Sequence, residues 1–577
     1  MSRIGKKLIN EVDRCVDDAL EGFTLLNPGL KLHPNYRFVS RTNEEITSEV
    51  AVLSGGGSGH EPFCTGYVGK GMLAGAIAGS VFTSPPKTHI LHALRHLNHF
   101  FKGGVLVIIP NYTGDCLNFG VAVEQAESEG VNVDTFVFGD DCASEQNSIT
   151  GRRGMCGLTL AYKIGGGLSA MGKNMSYIME SLKQIQRNIS TLGISLEACS
   201  LPGQPPLFSV ADDQMELGTG VHGEAGIAKI KMASAKEAVK MVLERLFKSS
   251  TLTQSGQTLV VLINNLGATS QLEQNIICKE THNQLSKAGM NVKRMYAGML
   301  MTSLDMSGFQ ISLLKVPKAA EDEWLDILDK NTDAPCWVGS VSSRSSLTIA
   351  KEDVRYTSPS QKTNSTFTFS QEEQQLLKKC LQNASQILKE NEPKLNELDS
   401  GCGDGDCGTT LKNFAEGILE ALPKMNLECP AKVLQTMSEI AETKMGGTSG
   451  AIYSLGFTSM SKYFMNVEKD QLSRIWAEAM KIGVRTVMKY GRTSQGDRTI
   501  VDALFPAVET FSQMICKSDF KTAILSSVEA AQKGCKATKS MKARAGRASY
   551  VNEDRLIDVD AGAYGFALWY AAIGKCF

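Results

Sequence analysis

The sequence predicts an α/β N-terminal half of two lobes, a linker, and an all-α C-terminal half built as an eight-helix up-and-down barrel. Three observations carry this. Through the first 338 residues, short β-branched runs ending in Gly, Asn or Asp alternate with helical segments. Residues 339–370 lose apolar periodicity, and Ser and Thr fill 14 of their 32 positions, as in an exposed linker. From Ser370 onward the apolar residues recur at helical spacing.

In chain order, the strand candidates are EVAVLSGGGSG at 49–59, GVLVIIPNYTGD at 104–115, VDTFVFGDD at 133–141 and TLVVLINNLG at 258–267. Each is a short apolar run closed by a glycine- or Asx-rich turn. Helical segments lie between them, for example at 87–101 and 235–247. Apolar runs alternating with helices imply mostly parallel or mixed sheets, where ligands sit at the carboxyl ends of the strands. The glycines and acids fall at those ends. SLPGQPP interrupts the pattern, so two lobes are expected to divide near 190–210 within a 1–338 domain.

The C-terminal domain is expected over 371–577. Ser370 predicts an N-cap, with Glu372 and Glu373 in the first turn. Leu377, Leu381, Ala384 and Leu388 then form a core stripe, as do Leu434, Met437, Ala441 and Met445. Eight helices are expected, at about 370–391, 409–422, 430–445, 450–467, 469–490, 498–516, 519–540 and 561–576. The odd connections (LDSGCGDGDCG, GGTSG, GRTSQGDRT and AGRASYVNEDRLIDVDAG) are rich in Gly, Asp and Arg; the even ones are ordinary. Alternate connections of an up-and-down bundle share one end, so that end should carry a single polar site.

Composition excludes several classes. Lys plus Arg is 60 and Asp plus Glu is 61 in 577 residues, which argues against nucleic-acid or polybasic membrane binding. Fifteen cysteines show no C-x-x-C ladder, as expected of reduced thiols in the cytosol. The N-terminus lacks an apolar signal core, and the longest aliphatic stretches, such as Val105 to Ile109, are too short to span a bilayer.

Two constellations bear chemistry. Asp399, Asp404 and Asp406 lie among Gly401, Gly403, Gly405 and Gly408. Three carboxylates on one tight loop repel unless a cation neutralises them, and hard oxygens suit Mg²⁺, Mn²⁺ or Ca²⁺. An EF-hand is excluded because the twelfth position from Asp404 is Ala415. Thr448 and Ser449 at a glycine-led helix start, with Arg498 and Lys489, supply phosphate-binding groups. No Gly-Lys pair is followed by Ser or Thr, so there is no Walker A loop. In the N-terminal half, GGGSGHEP (55–62), NYTGD (111–115) and ELGTGVHGEAG (216–226) bring His60, Asp115 and His222 to glycine-rich loops. Two such histidines with a loop aspartate are a candidate acid–base or nucleophile set.

These segments, joined in one chain to GDGDCGTT, GGTSGA, GDRT and AGRASY, resemble the dihydroxyacetone kinase family over nearly the whole length. The resemblance implies that His222 attacks the carbonyl carbon of dihydroxyacetone or D-glyceraldehyde and holds it as a hemiaminal. It implies that Asp115 is the base toward the terminal hydroxyl, that His60 hydrogen-bonds it, and that Gly57, Ser58 and Gly59 line the pocket. It places ATP on Asp404, Gly405, Asp406, Cys407, Thr448, Ser449, Lys489, Asp497, Arg498, Asp558 and Asp560, through metal held by Asp399, Asp404 and Asp406. Mg²⁺ is expected for phosphoryl transfer. Animal members, whose GDGDCG pattern matches at Cys407, imply a second activity with Mn²⁺ or Co²⁺: splitting FAD into AMP and riboflavin 4′,5′-cyclic phosphate. A cytosolic homodimer is implied too. One departure stands out: members usually carry lysine just before NYTGD, where this chain has Pro110. Alternatives are a cyclase with an impaired kinase, a nucleotide-binding regulator without turnover, and a subunit recharged by a phosphocarrier protein.

Overall fold

The computed structural model describes residues 5–43, 45–143, 151–224, 226–249, 256–339, 367–400, 405–467, 471–545, 547–550 and 556–577. The chain divides into two compact units, Met1–Glu352 and Asp353–Phe577. The first is α/β and the second, among its described residues, is helical, as the patterning predicts.

The first unit holds two six-stranded mixed sheets. One is built from β1 (Leu30–His33), β2 (Phe38–Arg41), β3 (Ala51–Ser58), β4 (Gly75–Val81), β5 (Val105–Pro110) and β6 (Val133–Phe138), in the order β1-β2-β4-β3-β5-β6. Its four members β4, β3, β5 and β6 run parallel. The other holds β7 (Ile189–Ser195), β8 (Gln214–Leu217), β9 (Ala228–Lys231), β10 (Thr258–Asn265), β11 (Asn291–Gly298) and β12 (Gly308–Lys315), in the order β11-β10-β12-β7-β8-β9.

Alternation explains the layers. Ala51, Leu53, Val105 and Val107 face the helices Lys87–Phe100 and Thr113–Ser128. Val52, Leu106 and Ile108 point the other way, into a core shared with Val260, Leu262 and Leu314 of the second sheet. The helix Leu158–Ala170 belongs to that shared core and is buried through Ser169. A helix apolar all round is what a position between two layers requires. Leu259, Val261, Ile263, Ile311 and Leu313 pack against the helices Ala235–Ser249 and Gln271–Lys287.

In the second unit Ser370 caps the first helix as predicted: its hydroxyl accepts from the Glu373 amide at 3.3 Å, and the Glu373 carboxylate accepts from the Ser370 amide at 2.7 Å. That helix, Gln371–Glu390, stops at Asn391, and the chain continues as Glu392–Ser400. The other helices are Cys407–Ala421, Pro430–Ile440, Gly447–Asn466, Leu472–Gly491, Val501–Met514, Phe520–Ala537 and Ala561–Gly574. An apolar cavity of about 290 Å³ lies among them, lined by Phe457, Trp476, Phe511, Phe566 and Trp569. The end of the expected linker is not wholly exposed. Phe367 and Phe369 are buried against Leu434, Phe464 and Ile475; two aromatic rings within the three residues before the cap outweigh the polar composition. The rest of that linker, 340–366, lies outside the described residues. Among the described residues no helix is long and apolar enough to cross a membrane.

Candidate active site

β3 ends in glycines because backbone crowds it. A Cβ at Gly55 would lie 2.7 Å from the Ile77 carbonyl oxygen, and one at Gly57 2.7 Å from the Thr83 amide nitrogen. Gly59 turns the chain at φ +95°. The Ser58 hydroxyl is spent on the Gly79 carbonyl at 2.8 Å. The turn presents His60, whose ring stacks on Phe82 at 4.9 Å and meets the His222 ring edge-on at 4.8 Å. His60 Nδ1 lies 2.9 Å from the Thr302 carbonyl oxygen. A carbonyl only accepts, so the proton sits on Nδ1 and Nε2 is left as an acceptor. Nε2 is buried and has no partner among the described residues. Burial, with the His222 charge adding, pushes the His60 pKa down to about 3. It is a neutral hydrogen-bonding group at pH 7.

His222 lies between β8 and β9, half-buried against the edges of Phe82 at 5.4 Å and Tyr112 at 4.5 Å. Burial holds its imidazole below the usual histidine range, Arg153 adds to this, and Glu224 opposes it. A neutral imidazole is a nucleophile; a protonated one is not. Asp115 sits in the first turn of Thr113–Ser128, just past β5. Its Oδ1 is buried with no partner among the described residues. Burial pushes its pKa up to about 6, and the neighbouring Ser84 hydroxyl pulls it back. The segment Phe82–Ser84 thus links His60 to Asp115. Pro110, the last residue of β5, brings neither charge nor an N–H.

The second unit carries the other set, of which Asp399, Arg498, Asp558 and Asp560 come together. Asp399 Oδ2 accepts from the amides of Gly405 (3.0 Å), Asp406 (3.1 Å) and Cys407 (3.3 Å), fastening the end of one helix to the start of the next. Asp406 is exposed at the N-cap of Cys407–Ala421. Asp404 lies outside the described residues. Asp560 caps the helix Ala561–Gly574, accepting from Ala563 at 2.8 Å. Its carboxyl is pushed up to about 6 by burial, with Asp502 and Asp399 adding to the rise and Arg498 opposing it. Arg498, buried at φ +60°, donates from Nη2 to the Asp558 carbonyl at 2.8 Å, while Nε and Nη1 have no partner among the described residues. Asp497 accepts from the Ser494 amide at 2.7 Å. Thr448 and Ser449 follow Gly446 and Gly447, both at positive φ, at the start of Gly447–Asn466. Lys489, in the last turn of Leu472–Gly491, extends over the Tyr490 ring.

Hard oxygen donors around a surplus of negative charge fit a divalent cation. Among the described residues alone, no three metal-binding side chains converge. Sequence reasoning missed Asp502, buried and accepting from the Gly496 and Thr499 amides. It also left Arg153 and Asp141 out of the site. Neither had a local signature; only the fold brings them to it.

Fold and site together define a class: a two-unit enzyme with paired histidines and a buried aspartate in its α/β unit and acid- and glycine-rich loops in its helical unit. The comparisons agree on the two-unit fold. Residues 21–336 match the Dak1 domain and 401–575 the DAK2 domain. The chain is 38% identical to triokinase/FMN cyclase of Homo sapiens over 98% of each chain. It is 34% identical to dihydroxyacetone kinase 1 of Saccharomyces cerevisiae, covering 96% of this chain and 97% of the other. The crystal structure of the dihydroxyacetone kinase from C. freundii in complex with AMP-PNP and Mg²⁺ is 28% identical, covers 99% of each chain and superposes with a TM-score of 0.68. The chain belongs to the dihydroxyacetone kinase family.

Proposed function

We propose that this protein phosphorylates dihydroxyacetone and D-glyceraldehyde with ATP, and splits FAD into AMP and riboflavin 4′,5′-cyclic phosphate at the acidic loops of its helical unit. The observation that carries the first activity is the edge-on contact of the His60 and His222 rings, with an unpartnered His60 Nε2 and an unpartnered oxygen on Asp115 among the described residues. The imidazole of His222 adds to the substrate carbonyl carbon. A C–N bond forms, the C=O π pair goes to oxygen, and the ring proton moves to that oxygen to give a neutral hemiaminal. Glycerol has no carbonyl and forms no adduct, which is how the site selects among compounds of similar size. His60 Nε2 accepts from a substrate hydroxyl. Asp115 takes the proton of the terminal hydroxyl as that oxygen attacks the γ-phosphorus; the bond from that phosphorus to the β,γ-bridging oxygen breaks and ADP leaves. Asp399, Asp404 and Asp406 would hold Mg²⁺, which supplies charge neutralisation on the triphosphate. Arg498, Thr448 and Ser449 are assigned to the phosphates.

FAD cleavage needs no carbonyl. A ribityl hydroxyl attacks the proximal phosphorus and AMP leaves, so His222 is dispensable there, with Mn²⁺ or Co²⁺ assigned to this reaction. The proposal includes a homodimer in the cytosol. Pro110 favours a second reading, a cyclase with a weak kinase, because the residue expected to bring a cation beside the pocket brings none. Paired assays on one preparation test these readings: ATP with dihydroxyacetone and Mg²⁺, and FAD with Mn²⁺. His222→Ala is expected to abolish phosphorylation and spare FAD cleavage, and Asp404→Ala to abolish both. Kinase activity surviving in H222A would refute the adduct, and full activity in D404A would refute the metal assignment.

A further inference from the structure

The loop that carries His222 is shaped around a different side chain, Glu224. One Glu224 oxygen accepts from the His222 backbone amide at 2.9 Å, and the other faces Arg153 Nη1 at 3.3 Å. Arg153 is fixed in turn: Nε donates to Asp141 at 2.7 Å and Nη2 to the Gly218 carbonyl at 2.9 Å. Gly220 and Gly223, on either side of Val221–His222, serve the same turn. A Cβ at Gly220 would collide with the Glu224 carboxylate. Gly223 stands at φ +72°, and a Cβ there would lie 2.5 Å from Leu207. In this Gly-x-His-Gly-Glu loop the carboxylate folds back under the histidine amide. The carboxylate then links the loop, through Arg153, to Asp141 beyond the edge strand β6.

We propose that Glu224 is the positioning residue of His222: its carboxylate bridges the His222 amide to the Arg153 guanidinium and sets where the imidazole stands against His60, Phe82 and Tyr112. This rests on the adduct reading above. The charged or titratable groups around the ring are His60 from the turn after β3, Tyr112 from the turn after β5, Arg153 from the loop after β6, and Glu224 of its own loop. Of these, Glu224 is the anion that favours the protonated ring and Arg153 the cation that opposes it. Removing the Glu224 charge should therefore move the ring titration to lower pH, an effect that a merely structural residue lacks.

The test uses the full-length protein and its E224Q, E224A and H222A variants. Binding of [2-¹³C]dihydroxyacetone is followed by ¹³C NMR, which separates a ketone from a hemiaminal carbon. The His222 ring is titrated by ¹H–¹³C NMR of labelled histidine, with H222A giving the assignment. Wild type is expected to show the hemiaminal and H222A none. In E224A the adduct equilibrium should weaken by about ten- to a hundredfold, the range for losing one charge-assisted hydrogen bond. E224Q keeps an acceptor oxygen for the amide and should weaken less. Both should titrate at lower pH, with FAD cleavage unchanged. An unshifted titration and a wild-type adduct level in E224A overturn the proposal. If E224A fails to fold, an unshifted titration in E224Q does the same. A wild type without adduct, or H222A with one, instead overturns the adduct reading on which the proposal rests.

Discussion

Asp115→Asn should make the first unit more stable while removing its kinase activity. Asp115 is 5% exposed, with one carboxyl oxygen unpartnered among the described residues. Its pKa is pushed from 3.8 up to about 6, chiefly by burial. A rise of that size corresponds to about 3 kcal/mol of folding free energy lost at neutral pH. The helix start at Thr113 favours the carboxylate and returns up to ~1 kcal/mol, leaving about 2 to 3. The sign is set by the order of protonation. The folded state protonates first, near pH 6, and the unfolded chain near 3.8. The penalty is therefore complete above pH 6, shrinks as the pH falls, and is gone below about 4. Native-state hydrogen exchange of peptides from β3 and β5, at pH 7.5 and across the acid range, measures it. D115N should be the more protected protein at pH 7.5, with the difference closing in acid. Equal protection at pH 7.5, or a gap that persists in acid, would refute the argument that this carboxylate is held charged against its surroundings. Loss of activity with gain of stability is the signature of a group kept for chemistry.

P110K should raise dihydroxyacetone phosphorylation and leave FAD cleavage untouched; an unchanged kinase rate would show that position 110 is not limiting. In G57A the new Cβ would lie 2.7 Å from the Thr83 amide nitrogen and 3.1 Å from Phe82 Cα, backbone atoms that cannot swing aside. Phe82 carries the stack on His60, so kinase activity should fall by about tenfold or more, as expected for a misplaced reacting group, with FAD cleavage retained. S370A breaks the capping box and should lower the stability of the second unit by about 1 kcal/mol, read from urea unfolding followed by exchange in Gln371–Glu390. Chelation should silence both reactions, with Mg²⁺ restoring phosphorylation and Mn²⁺ or Co²⁺ restoring FAD cleavage; activity persisting after exhaustive chelation would remove the metal from the mechanism.

Legibility followed the range of the interactions. β3, β5 and β10 are buried and carry apolar runs that stop at Gly, Pro or Asn, and β6 (VDTFVF) shows by its alternation, with Asp134 and Val137 exposed, so local pattern identifies them. β1, β2, β8 and β9 are four residues each and exist because a neighbour pairs with them; nothing in four residues announces this. The helices of the second unit are long and amphipathic, yet the break at Asn391 and the π turn Ala441–Met445 are invisible to a periodicity count. Phe367 and Phe369 were masked by the Ser- and Thr-rich segment around them. At the site, His60, Asp115 and His222 stand out because glycine surrounds them. Arg153 and Asp502 do not, since their value lies in partners far along the chain or in a loop they fold from within.

The hold on His60 bears on how the first unit can move. The residue hangs from a strand of one sheet, but its ring nitrogen, its own carbonyl and that of Gly59 are all bonded to Thr302 and Leu304, between β11 and β12 of the other. Sliding the sheets apart would withdraw the imidazole with the departing layer or tear three hydrogen bonds. The geometry of the pocket and the spacing of the two layers are thus a single degree of freedom, and a ligand that changes one reports on the other.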